Sequence, residues 1–93
     1  MSSDDPHGYQ NLYESLVELE AEMRSLGHQT SADRIRHAEK FYKTSSASEF
    51  LGESRLALQA ALNVSNSLPE HIRTKMESVI NDITTGFRNA GGR

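Results

Sequence analysis

An all-α fold, a small antiparallel bundle of four helices arranged as two helical hairpins, is what this 93-residue sequence predicts. Three observations carry the expectation. Apolar residues recur at three- and four-residue steps in four separate segments, the spacing that lines one face of a helix. Each segment opens on a capping or first-turn residue, at Asp5-Pro6, Thr30, Ser46 and Ser67-Pro69. No segment alternates apolar and polar residues with the β-branched enrichment of a strand. Connections of only a few residues then favour antiparallel neighbours.

The first helix is expected from Pro6 to Leu26. Asp5 offers a carboxylate to free N–H groups, and Pro6 has no amide to lose in the first turn. Tyr9, Leu12, Tyr13, Leu16, Leu19, Met23 and Leu26 form its stripe, and Gly27 stops it. Thr30 and Asp33 have the spacing of a capping box, which starts a second helix over 31–43 with Ile35, Ala38, Phe41 and Tyr42 on its apolar side. Ser46 and Glu49 repeat that spacing and open a third helix over 47–65. Ser67, Pro69 and Glu70 introduce a fourth over 68–87, whose stripe of Ile72, Met76, Val79, Ile80, Ile83 and Phe87 is the cleanest in the chain. Leu16, Ile72, Met76, Ile80 and Ile83 are expected in the core.

The length fits one helical domain over 6–88, with flexible ends at 1–5 and 89–93. A formal charge of −3 argues against nucleic acid or an anionic membrane as the main ligand, since both are held by clustered Lys and Arg. Without cysteine there is neither a disulfide nor a thiolate metal site. No apolar run approaches the roughly 20 residues that span a bilayer, and the opening MSSDDPHGYQ lacks the basic start and apolar run of a signal peptide. The expected setting is cytoplasmic.

Reactive chemistry is hard to find in this chain. His7, His28, His37 and His71 fall in different segments, none with the second histidine three or four residues away that places two metal ligands on one helical face. Serines occupy caps and turns, without a Gly-x-Ser-x-Gly elbow. Gly52 is isolated, and Gly91-Gly92 stands at the terminus with no helix to follow, so neither makes a phosphate loop. Neither catalysis nor a cofactor or metal is expected.

Charge is divided between the first two helices, acidic in the first at Glu14, Glu18, Glu20 and Glu22 and basic in the second at Arg34, Arg36, Lys40 and Lys43. Complementarity between antiparallel neighbours is the simpler reading. Glu20 and Arg34 both fall on or beside the apolar stripes, so they are expected to meet as a partly buried pair. A second reading takes Arg36, Lys40 and Lys43 as a small basic ridge that touches phosphate, as in a nucleic-acid-associated regulator or an antitoxin-like protein.

The segment SEFLGESRLALQAAL, residues 48–62, carries the functional expectation. Phe50, Leu51, Ala57, Leu58, Ala61, Leu62 and Val64 cluster on one wide face that belongs to the core. Leu56 points the other way, surrounded by Gly52, Gln59, Ala60 and Asn63. A glycine inside a helix costs about 1 kcal/mol relative to alanine, and a flat surface that admits another helix is a compensating reason. The chain is therefore expected to act as a small non-catalytic protein–protein interaction module that binds a protein partner, itself included, as a homodimer through Gly52, Leu56, Gln59, Ala60 and Asn63.

Overall fold

The computed structural model describes residues 9–44, 46–64 and 68–91, and at 43, 64 and 86–91 the backbone alone. The expected cap at Asp5-Pro6, the N-terminal segment 1–5, His7, Ser65, Ser67 and the last residues 92–93 lie outside the described residues, as do the side chains of Lys43, Val64 and Phe87. The described chain forms α1 (Tyr9–Ser25), α2 (Gln29–Glu39), the single turn α3 (Phe41–Thr44), α4 (Ala47–Val64) and α5 (Glu70–Gly91). Among these residues there is no strand.

Glycine ends α1 as its position requires. Gly27 has φ +88°, the left-handed region that costs a side chain steric strain. Its N–H reaches the Arg24 carbonyl at 3.1 Å and the His28 N–H reaches the Met23 carbonyl at 2.9 Å, a Schellman motif that satisfies two orphan carbonyls. This turn delivers the chain into α2 earlier than expected. Helix α2 starts at Gln29 with His28 at the cap position and no side-chain cap bond, so the Thr30–Asp33 box does not form. Thr30 is already inside the first turn, and Asp33 instead accepts from Arg24 at 3.3 Å.

The second expected helix is broken near its end. It tightens at Lys40, whose N–H bonds the His37 carbonyl at 3.2 Å, and resumes as α3. Tyr42 from this turn stacks on Tyr13 with centroids 4.6 Å apart and lies 5.4 Å from Phe50. Tyr9 meets Phe50 edge-on at 6.4 Å, so aromatic rings from α1, α3 and α4 close this end of the core. Ser46 caps α4 by accepting the Glu49 N–H at 3.2 Å. The Pro69 carbonyl takes the first bonds of α5 from Ile72 and Arg73, each at 3.0 Å, and α5 continues to Gly91 through the stretch expected as a loose tail.

The helices pack as two hairpins, α1 with α2 and α4 with α5, joined where α2 lies against α4. Leu16, Leu19 and Met23 of α1, Ile35 of α2, Phe50, Leu51 and Leu58 of α4, and Ile72, Met76 and Ile83 of α5 are fully buried in one core. Ile80 is half-buried at its edge, and Leu26 is exposed because it lies beyond the last buried turn of α1. Ser54 is also wholly buried, its hydroxyl donating to the Phe50 carbonyl at 2.7 Å. That bond lets a polar side chain stand among apolar ones.

Ion pairs across helices depart from the expected pattern. Two acids of α1 lie against bases of α5: Glu18 pairs with Lys75, and Glu22 lies 3.9 Å from His71. One turn forward on α1 matches one turn back on α5, as antiparallel helices require. Across α1 and α2 the pairing has the opposite sense, with the cation on α1 at Arg24 and the anion on α2 at Asp33.

Candidate functional site

Two regions of the described structure carry features that packing alone does not use. The first is the outer face of α4. Its inner face is fixed by Phe50, Leu51, Ser54, Ala57, Leu58 and Ala61, all buried, and the 3.6-residue period then turns Leu56 outward. Leu56 is 58% exposed, the most exposed of the large apolar side chains among the described residues. Beside it Gln59 and Asn63 are exposed, and Gly52 and Ala60 are half-exposed. All five residues expected in the partner surface are thus together on one face that the bundle leaves open.

Alongside this face runs a groove of about 390 Å³ between α2 and α4. Asp33, Arg34 and His37 form its α2 wall, and Glu53, Leu56 and Ala57 its α4 wall. His37 also packs edge-on against Phe41, with ring centroids 5.3 Å apart. The groove was not read from the sequence, because the α2 residues that wall it lie on the flank of a helix whose rotation is set only by packing.

The second region is the seam between α1 and α2. Glu20 does not meet Arg34: its partner is Arg24, one turn on, whose guanidinium donates to its carboxylate at 2.7 Å. Burial of Ser31, Ala32, Ile35 and Ala38 leaves Arg34 exposed on the groove side. Arg24 also donates to Gln29 at 2.9 Å and to Asp33. Its charge is stabilised accordingly, its pKa raised first by the bond to Glu20 and then by Asp33.

What faces Glu20 across the seam is Glu39, at hydrogen-bonding reach. Glu39 stands four residues after Ile35 and directly after Ala38, so it shares the apolar face of α2. The helical period was the signal that could have singled it out. Its Oε2 atom is buried, and no donor reaches it. Burial, and then the bond with Glu20, push the Glu39 carboxyl up to about 7. At Glu20 burial also acts to raise the pKa, but hydrogen bonds with Glu39 and Arg24 outweigh it and hold the carboxyl below its ordinary value.

Of the expected basic ridge, Arg36 borders the seam. Arg36 and Lys40 are exposed, and the side chain of Lys43 lies outside the described residues. Arg36 acts on both Glu20 and Glu39, so part of its charge is offset locally. Among the described residues no group of three metal-capable side chains occurs, and no helix is long and apolar enough to cross a membrane. His71 is 77% exposed on α5, and His28 stands at the start of α2.

No family model matches the chain, and no curated protein or solved structure matches it.

Proposed function

We propose that this chain is a non-catalytic helical protein–protein interaction module that self-associates through the outer face of α4. The observation that carries the reading is the open Leu56 surface. Leu56 lies at the middle of α4, which runs from Ala47 to Val64. Two copies crossing antiparallel about a two-fold axis at Leu56 overlap along the whole helix.

That register is self-complementary. Steps of 100° place Glu49, Gly52, Glu53, Gln59, Ala60 and Asn63 within about 60° of Leu56 around the helix. Counting outward from the axis, Gly52 meets Ala60 of the second copy, and two small residues let the backbones approach closely. Glu53 then meets Gln59 and Glu49 meets Asn63, so each carboxylate faces an amide donor and no like charges oppose. Leu56 meets its own copy at the centre, where each chain removes the same apolar side chain from water.

Support for the phosphate-binding alternative through Arg36, Lys40 and Lys43 is weaker, since Glu20 and Glu39 share the field of Arg36. A cytoplasmic setting belongs to the proposal.

The absence of cysteine from the chain makes the register testable. Gly52→Cys and Ala60→Cys variants are prepared separately and then mixed under mild oxidation. Mixed proteins are expected to form a disulfide-linked dimer. Each variant alone is not, because two copies of residue 52 would stand about 12 Å apart along the helix at 1.5 Å per residue, beyond the roughly 7 Å that a disulfide spans between Cα atoms. Equal linking of single and mixed samples, or none in the mixture, would refute the register.

A further inference from the structure

A second device lies in the α1/α2 seam and is independent of the α4 surface. Glu20 and Glu39 face each other there from different helices, in the hairpin with the most extensive packing in the fold. The side chain of Glu20 is only 14% exposed, and Glu39 offers a buried oxygen with no donor. Two ionised carboxylates at hydrogen-bonding reach have no proton to share and repel each other. With one proton between them, the same oxygens form a short-range O–H···O⁻ bond, stronger than a neutral one.

We propose that the Glu20–Glu39 carboxyl pair is a proton-operated latch, which fastens α2 to α1 when it holds one proton and loosens that seam when the proton leaves. The charges acting on Glu39 are Glu20 of α1, which opposes its ionisation, and Arg36 of its own helix and Arg24 of α1, which favour it. Arg24 is already bonded to Glu20, Gln29 and Asp33, so it does not supply Glu39 with a donor. The proton is the missing donor.

The direction of the pH effect follows from linkage. A carboxyl whose proton is held more tightly in the folded state contributes stability that is complete below its unfolded value. For Glu39 that contribution is lost as pH rises from 4.5 through about 7. Glu20, held below its ordinary value, acts in the opposite sense, and its contribution is lost as pH falls below the ordinary carboxylate range. The seam is therefore tightest in mild acid, with a single proton on the pair, and loosens toward neutral and alkaline pH.

The test compares the full chain with its Glu39→Gln variant, whose amide keeps a donor for Glu20 and carries no charge. Amide hydrogen-exchange protection in α2 and the denaturation midpoint are followed from pH 4.5 to above 7. Both are expected to fall more steeply in the unsubstituted protein than in the variant. Every other group is common to both proteins, so the difference between the two isolates Glu39. In parallel, the carboxyl carbon resonance of Glu39 is followed in the unsubstituted protein. A midpoint near 7, with α2 protection falling over the same pH range, supports the latch even if the variant fails to fold. Titration of Glu39 in the ordinary glutamate range, or an equal fall in the folded variant, would overturn it.

Discussion

The outer face of α4 and the seam between α1 and α2 break the usual partition of residues in opposite directions. On α4 a leucine stands in water, 58% exposed, with Gly52, Gln59, Ala60 and Asn63 on the same face. In the seam a carboxyl oxygen is buried without a donor and faces a second carboxylate. A single exposed leucine is common and costs little, whereas a buried charge without a partner is costly enough to change its protonation instead. The α4 feature is therefore a surface to be covered, and the seam feature a group to be titrated. One calls for a second chain, the other for a proton.

The largest effect separates the two faces of α4 itself. Leu58 is fully buried, and Leu58→Ala is expected to cost about 2–5 kcal/mol, by lost transfer free energy and the cavity left behind. Chemical denaturation at one protein concentration measures it. Ile83→Ala, at a buried position of α5, should fall in the same range of about 2–5 kcal/mol. An unchanged midpoint for either would mean that the core is not where these helices place it.

A smaller loss is expected at Gly27, the turn that sets how α2 returns along α1. A side chain there meets no atom within 4 Å, so Gly27→Ala costs only its left-handed backbone, about 1–2 kcal/mol. Thermal denaturation checks the value, and a neutral result would show that the turn relaxes out of that conformation.

On the titration side, Arg24→Gln sharpens the comparison without a large change in the fold. Arg24 favours ionisation of both carboxyls in the seam. Its removal should raise the pH at which the pair releases its proton, read from the Glu20 and Glu39 carboxyl resonances. A downward movement would contradict the assignment of charges around the pair. Smallest of all is Leu56→Ala at a dilution that keeps the chain monomeric. The side chain is mostly in water, so the change in stability should stay within about 0.5 kcal/mol, against the far larger cost at Leu58.

Much of this arrangement was legible in the sequence because it depends on one helix at a time. The stripes of Leu16, Leu19 and Met23 and of Ile72, Met76 and Ile83 are periodic, and they are buried. Leu56, Gly52, Gln59, Ala60 and Asn63 were assigned to one face of one helix, and that face is open. Features that depend on two helices were not legible. Pairing of Glu20 with Arg34 fails because the rotation of α2 against α1 brings Glu39 to the seam instead. The acids of α1 were matched to the nearest bases in sequence, whereas antiparallel packing brings Lys75 and His71 alongside them. Thr30 has the right spacing for a cap, but the Gly27 turn starts α2 before it. The break at Lys40 precedes the turn that sets Tyr42 against Tyr13 and Phe50, contacts that no local window of sequence contains.

The central claim is that the open face of α4 is covered by a second copy of the chain, and light scattering coupled to size-exclusion chromatography tests it most directly. The unsubstituted protein and Leu56→Glu are run over a dilution series, with circular dichroism on the same samples. The account predicts a dimeric mass that falls on dilution for the unsubstituted chain, and a monomeric mass with full helix content for the variant. A monomeric mass for the unsubstituted protein at every concentration, or an unchanged dimer after Leu56→Glu, would contradict it.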